Sequence, residues 1–163
     1  MSYEDHLDAL ELFFGPCTPA FDVPDDVVDD AEEVLVALKR RGYAKAFASL
    51  RSRRLRPPYN EDPHLSFCLR VADATRLALE RRGHDLGHGK CLPRSLAIAT
   101  GLWGAGIPAT MKVGVTKIAS DSTSEFHAWT ELQGQPVAPY CEIRGVYELV
   151  DEVTRGVDSE VRQ

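Results

Sequence analysis

The chain has 163 residues, of which 44% are hydrophobic and 27% charged, and its formal net charge is −6 with a pI of about 5.4. This composition is typical of a globular protein with one domain and its own core, and the acidic balance argues against nucleic-acid binding, which needs a concentrated basic face. No apolar stretch reaches membrane-spanning length and the acidic N-terminus does not start like a signal peptide, so we expect no membrane association, a cytoplasmic protein, and four reduced cysteines.

Apolar residues at helical spacing, interrupted by glycine and proline, predict helices in the first two thirds of the chain. These helices are predicted over residues 3–14, 25–41, 43–55, 62–83 and 91–104. Asp25 or Asp26 is expected to cap the second helix, and Gly42 to end it. Residues 16–24, which contain three prolines, form a linker before that helix.

From residue 108 onward the apolar pattern changes to alternation with many β-branched residues, which predicts strands. The strands are predicted over residues 108–118, 126–132 and 135–143. A turn at Gln133-Gly134 joins the last two strands as a hairpin, and two prolines mark the third as an edge strand. A short terminal helix is predicted over residues 146–153. Helices followed by a small antiparallel sheet indicate an α+β fold.

Charged residues are unevenly distributed near the start of the second predicted helix. Residues 22–33 are acidic, and a basic run extends from Lys39 to Arg56. Acidic residues suit a helix N-terminus, so we interpret both stretches as solvated helix faces. The alternative is a docking surface for a charged partner.

Cys91 lies where a glycine-rich loop meets an apolar helix. The free N–H groups and the macrodipole of a helix N-terminus favour a thiolate over a thiol, and Pro93 suits the first turn because no N–H is needed there. The following helix is apolar on nearly all sides, which predicts a buried and rigid support. Cys91 is therefore a candidate nucleophile, and the alternative is a buried structural cysteine.

His127 is the candidate partner of Cys91. Alternation within its predicted strand places His127, Trp129 and Glu131 on one face. A cysteine at a helix start, followed by a histidine on a strand, is the arrangement of papain-like thiol chemistry, in which the imidazole takes the thiol proton and later protonates the leaving amine. This pairing favours a catalytic histidine over a structural one.

Three ordered segments together resemble one known family. They are Lys90-Cys-Leu-Pro-Arg-Ser-Leu-Ala97, Gly106-Ile-Pro-Ala-Thr-Met-Lys-Val-Gly-Val115, and Phe126-His-Ala-Trp-Thr-Glu131 followed by Gly134-Gln-Pro-Val137. The series is similar to the transglutaminase-like leader peptidases of lasso-peptide biosynthesis, the microcin-processing protein family. The resemblance covers about residues 64–138 and concerns the C-terminal cysteine-protease domain of that family.

The resemblance implies a papain/transglutaminase-like fold and a cysteine endopeptidase that removes the leader from a ribosomally made lasso-peptide precursor. It assigns the nucleophile to Cys91 and the base to His127. The acid that the family carries a dozen residues past the histidine falls on Pro139 in this chain. Glu142 would substitute if the strand bulges, and Glu131 is an alternative, although its place on the same strand as His127 suits a structural role better. Without either, a Cys–His dyad would rely on another group to orient the imidazole.

The same resemblance implies three partners: the precursor leader peptide, a separate small leader-recognition protein, and a lasso cyclase. A fused recognition domain, which would add a strand-pairing groove, is not expected because residues 1–60 are predicted to be helical. We divide the chain into an N-terminal extension (1–24), a helical lead-in (25–63) and the peptidase domain (64–163), packed as one unit. No cofactor is expected, and the sequence contains no P-loop motif.

For several residues around Cys91 the sequence allows two different roles. Trp129 is expected to pack against the cysteine helix, with a wall of the substrate site as the alternative. Arg94 and Ser95, expected to be exposed in the first helical turns, would bind a substrate carboxylate or carbonyl or satisfy a local polar group. Lys90 would lower the pKa of the Cys91 thiol or be solvated.

The loop before Cys91 could also be considered a metal site. His84, His88 and Cys91 match no tight zinc spacing and lack an evident fourth ligand, so we expect no metal and a loop that shapes the approach to the thiol.

Two further functions stay open. The protein could be a binding or scaffold member of the family that lost the chemistry, as Pro139 suggests. It could also be an acyl transferase that passes the thioester on Cys91 to an amine.

Overall fold

The computed structural model describes residues 22–59, 64–87, 89–116, 126–137 and 147–155. Its helices in these ranges are α1 (Asp25–Arg41), α2 (Tyr43–Arg51), α3 (Leu65–Arg81) and α4 (Cys91–Gly104), and its strands are β1 (Ala109–Thr116), β2 (Phe126–Leu132), β3 (Gln135–Pro136) and β4 (Tyr147–Arg155). The strands form one antiparallel sheet in the order β3-β2-β1-β4. The predicted α+β class is confirmed. The predicted helix over 3–14 lies outside the described residues.

Helix α4 is the buried centre of the fold. Every residue from Ser95 to Gly104 is buried, and the helix packs against α1, α3, β1 and β2. A Cβ atom at Gly101 would collide with the Thr75 side chain, so glycine allows α3 to approach α4 closely. The prediction that this helix is buried on nearly all sides is confirmed, and its rigid packing fixes the position of its first residue, Cys91.

The ends of the first two helices differ from the predicted ends. The N-cap of α1 is Pro24 and no side chain caps the helix, so the predicted aspartate cap is wrong. Asp25 and Asp26 lie instead in the first turn, where carboxylates interact favourably with the helix dipole. Helix α2 ends at Arg51 rather than residue 55. The segment that follows is bound to α4 instead, where the Arg56 N–H donates to the Trp103 carbonyl at 3.0 Å.

Strand β2 has the predicted bounds, and β1 lies within the predicted range. Gln133 and Gly134 form the predicted turn, with φ angles of 49° and 77° as a two-residue hairpin with twisted strands requires. Strand β3 is described only as Gln135–Pro136, and the rest of the predicted third strand lies mostly outside the described residues.

The predicted terminal helix over 146–153 is wrong, because β4 occupies this part of the chain. Strand β4 pairs with β1 from Ala109 opposite Arg155 to Thr116 opposite Tyr147, with a register shift between Val113 and Gly114. This pairing gives hydrogen-bond partners to the second edge of β1 and places Val153 in the core. The tertiary environment therefore overrides the local helical spacing.

The end of the basic stretch pairs with the acidic stretch, so the interpretation as solvated faces is wrong for Arg53 and Arg56. Asp29 accepts a hydrogen bond from Arg82 at 2.7 Å, and Asp30 accepts one from Arg53 at 2.7 Å. Arg56 bridges Asp26 and Asp30. These ion pairs attach the acidic face of α1 to the segment after α2 and to the end of α3.

Glu32 makes the stability of this contact sensitive to acid. Its carboxylate lies 2.7 Å from the His84 Nε2 atom and 2.8 Å from Arg82, and these hydrogen bonds, the one with His84 foremost, hold its pKa below the usual 4.5. A lowered folded-state pKa means that the contribution of Glu32 is complete above about pH 4.5 and is lost as the pH falls through the folded value.

We therefore expect Glu32→Gln to lower the melting temperature at pH 6, and this difference to shrink at pH 3. Thermal unfolding at both pH values measures it. Glu148→Gln on exposed β4 is the matched control. An equal loss from Glu32→Gln at both pH values would contradict the expectation.

No helix among the described residues is both long and apolar enough to cross a membrane. Helix α1 packs directly on α4. The division of the chain at residues 24 and 63 stays a prediction.

Candidate active site

Cys91 is the first residue of α4, and its side chain is partly buried. The N-cap residue Lys90 makes no side-chain cap, Pro93 has no N–H, and the Arg94 N–H donates to the Lys90 carbonyl at 3.1 Å. The first N–H groups of a helix have no acceptor within the helix itself. The start of α4 thus presents a backbone donor beside the thiol, as a helix N-terminus generally does.

Strand β2 meets α4 next to this thiol. The Thr130 hydroxyl donates to the Ser95 carbonyl at 3.1 Å and docks the strand against the helix. The Val137 N–H donates to the Thr130 carbonyl at 2.8 Å, so the backbone groups of Thr130 point away from β1. By the alternation of an antiparallel strand, the N–H of Ala128 points the same way, and it donates to the Cys91 thiol.

His127 forms a hydrogen bond with the Cys91 side chain, so the structure brings the two predicted residues together. This bond is the foremost cause that lowers the pKa of the Cys91 thiol, and the N–H groups of Ala128 and Leu92 act in the same direction. Partial burial of the thiol opposes them. A donor that stabilises the thiolate makes the cysteine a better nucleophile near neutral pH.

Cys68 shows the opposite electrostatic environment. It is 5% exposed within α3, and burial raises its pKa to about 11. Of the two cysteines that the structure describes, Cys91 is therefore the one whose thiolate is stabilised. Cys17 and Cys141 lie outside the described residues.

Two charged residues beside Cys91 interact with the preceding loop. Lys90 lies 3.9 Å from the Asp85 carboxylate, and the groups that lower the thiol pKa are His127 and backbone N–H groups. The Arg94 guanidinium donates to the Gly87 carbonyl at 3.3 Å, so it connects α4 to the loop. The predicted exposure of Ser95 is wrong, since its side chain is buried at the contact with β2.

No cluster of three metal-ligating side chains is found among the described residues. His84 makes its contact with Glu32 of α1. His88 lies outside the described residues.

Trp129 shares the His127 face of β2, and its ring is stacked beside the His127 ring at a centroid distance of 6.1 Å. Thr130, on the alternate face, contacts α4 through the Ser95 carbonyl. The packing of Trp129 against α4 stays a prediction. The Trp129 indole N–H donates to Glu131 at 3.0 Å, and Glu131 also forms a 3.0 Å ion pair with Lys112. Lys112 was not predicted as part of the site; its signal is a lone lysine in an apolar strand.

Glu142 and Pro139 lie outside the described residues, so the third member of a triad stays a prediction. The roles assigned to Cys91 and His127 in catalysis also stay predictions, although their proximity is a property of the structure.

A family model described as "Transglutaminase-like superfamily" matches residues 33–150, which is more than half of the chain. No curated protein and no solved structure matches the chain significantly. Together with the helices and the four-stranded antiparallel sheet, the family match fits an α+β papain/transglutaminase-like fold, as predicted. This superfamily includes cysteine peptidases and acyltransferases, and its members are commonly cysteine-dependent enzymes.

Proposed function

The chain belongs to the transglutaminase-like superfamily, and we propose that it is a cysteine endopeptidase that removes the leader from a ribosomally made lasso-peptide precursor. The observation that carries the enzymatic part is the hydrogen bond between Cys91 and His127 at the start of a buried helix. The lasso-peptide part rests on the resemblance of three sequence segments to the leader peptidases.

In the proposed reaction His127 takes the proton of the Cys91 thiol, and the thiolate attacks the carbonyl carbon of the scissile amide. The C–N bond breaks when His127 gives its proton to the leaving amine, which leaves a thioester on Cys91. Water then gives a proton to His127 and attacks the thioester, releasing a carboxylate and the thiol. The reaction needs no redox partner and no resident cofactor.

The start of α4 supports the charge that develops on the carbonyl oxygen. The proposed donor to this oxyanion is the N–H of Cys91, the first residue of the helix. Because the helix behind Cys91 is buried on all sides from Ser95 onward, the donor is held without reorganisation. In other enzymes, removal of one such donor lowers kcat by about 10²- to 10³-fold.

The proposed partners are the leader peptide, a separate small leader-recognition protein and a lasso cyclase. The proposed location is the cytoplasm, where the thiol would stay reduced.

The decisive experiment is mass spectrometry of the purified protein with the precursor encoded beside it, with and without the neighbouring small recognition protein. We expect cleavage at one peptide bond by the wild type and none by Cys91→Ala. Cys68→Ala, which removes the buried thiol of α3, is the matched control and should still cleave.

Each result separates the three functions. Cysteine-dependent cleavage with a new carboxylate supports the peptidase. A product with a new amide bond, still dependent on Cys91, would replace it with the acyl transferase. Binding without any reaction in all combinations would contradict both and favour a scaffold protein.

A further inference from the structure

We infer that Trp129, held in place by Glu131 and Lys112, is the positioning residue that fixes the ring plane of His127. The inference deepens the proposed function and rests on it, because it concerns the same Cys91–His127 pair. Trp129 acts through the imidazole and is not assigned a contact with substrate.

The first observation is the stacking of the two rings. The His127 and Trp129 rings are inclined by only 19°, and their centroids lie 6.1 Å apart, within the range in which aromatic rings attract each other. The two residues are separated by one position in β2 and therefore share a face of the sheet. Because Trp129 is only 4% exposed, its ring is enclosed and offers the imidazole a fixed surface.

The second observation is the anchor of the indole. Its N–H donates to Oε1 of Glu131 at 3.0 Å, and Oε2 of the same carboxylate accepts the Lys112 ammonium at 3.0 Å. Lys112 lies opposite Trp129 in the register of β1 and β2. The Glu131 side chain is 4% exposed, so its charge is removed from water and these two donors help to stabilise it.

Burying an ion pair has a large desolvation penalty, and apolar side chains of similar volume often give the same or greater stability. Here each carboxylate oxygen has a directional partner, and one of these partners is the group that adjoins His127. The arrangement therefore defines the direction of the indole N–H and with it the plane of the ring. Contacts run from Lys112 through Glu131 and Trp129 to His127.

The consequence for Cys91 follows from hydrogen-bond geometry. The bond from His127 to the thiol needs one ring nitrogen directed at sulfur, and it weakens steeply when the angle is poor. An imidazole free to rotate out of this plane would spend less time bonded to Cys91. Loss of Trp129 should therefore affect the ionisation of the Cys91 thiol through His127.

The first test measures the rate of Cys91 alkylation by iodoacetamide across pH, with the modified site mapped by mass spectrometry. We expect Trp129→Leu to move the profile to higher pH and to slow alkylation at pH 7 by about tenfold, which corresponds to one pKa unit. Trp129→Phe keeps a ring but loses the N–H anchor, and we expect an intermediate shift of about threefold.

Val153→Ala is the matched control, because it removes core volume from β4 without contacting the site and should destabilise the fold with no shift of the profile. A folded Trp129→Leu protein with the wild-type profile would overturn the inference. If Trp129→Leu does not fold, an unchanged profile of Trp129→Phe overturns it instead.

The second test uses tryptophan fluorescence at pH 7, because the emission of an indole depends on the groups packed against it. His127→Gln removes the ring stacked beside Trp129 and should change the emission of the folded protein, whereas His84→Gln, at a histidine that contacts Glu32 of α1, should not. Equal emission from the wild type and His127→Gln would overturn the stacked arrangement. Neither test needs a precursor, so failure of peptide cleavage would overturn the proposed function while leaving this inference standing.

Discussion

Replacing His127 with Gln is expected to lower the rate of precursor cleavage about 10²- to 10⁴-fold, the usual contribution of a general acid–base residue. The hydrogen bond with His127 is the foremost cause of the lowered pKa of Cys91. Without this hydrogen bond, partial burial still raises the pKa of the thiol, and only the backbone N–H groups of Ala128 and Leu92 act against that rise. The pKa of Cys91 should therefore rise, and less thiolate should be present at pH 7.

The sign of the pH effect follows from this change. A lowered thiol pKa lets the wild type reach its full alkylation rate at lower pH, so the profile of His127→Gln should lie at higher pH. His84→Gln is the matched control, because His84 contacts Glu32 of α1 and should leave the profile unchanged. Equal profiles for wild type and His127→Gln would contradict a functional Cys–His pair.

The second large effect is expected on stability, from Lys112→Met. This change removes the ammonium that lies 3.0 Å from Glu131 and leaves a carboxylate whose side chain is 4% exposed. Removing one partner of a buried ion pair costs about 3–5 kcal/mol, and the lower end applies because the Lys112 side chain is 25% exposed. We expect the free energy of unfolding to fall by about 3 kcal/mol in urea denaturation.

The double variant Lys112→Met/Glu131→Gln should recover more than half of this loss, since no charge then remains buried. Lys45→Met, at an exposed lysine of α2, is the matched control and should change the unfolding free energy by less than about 0.5 kcal/mol. If both lysine variants lose the same stability, the ion pair with Glu131 contributes nothing and the prediction is wrong.

Much of the site could be predicted from the sequence because its signals are local. The loop-to-helix junction places Cys91 at the first residue of α4, and alternation within 126–132 gives the bounds of β2 and the shared face of His127 and Trp129. Each signal depends on residues within about ten positions, where helical and strand periods are expressed directly.

Other features could not be predicted because they depend on partners distant in sequence. Asp29 and Arg82 are 53 positions apart, and charge patterning along the chain gave no sign that they meet. The segment 147–155 became a strand because β1 offered it a free edge, which local spacing does not reveal. Lys112 and Glu131 lie in different strands, so only the register of β1 and β2 brings their charges together.

The sequence by itself thus determined the fold class, the helix that carries Cys91 and the strand that carries His127, since each follows from a short-range pattern of apolar residues and chain breaks. The tertiary structure alone decided that the two side chains share a hydrogen bond, and that the Trp129 ring is stacked beside the imidazole. The physical reason is that side-chain contacts depend on how helix and sheet pack, and this packing is fixed by the whole core at once.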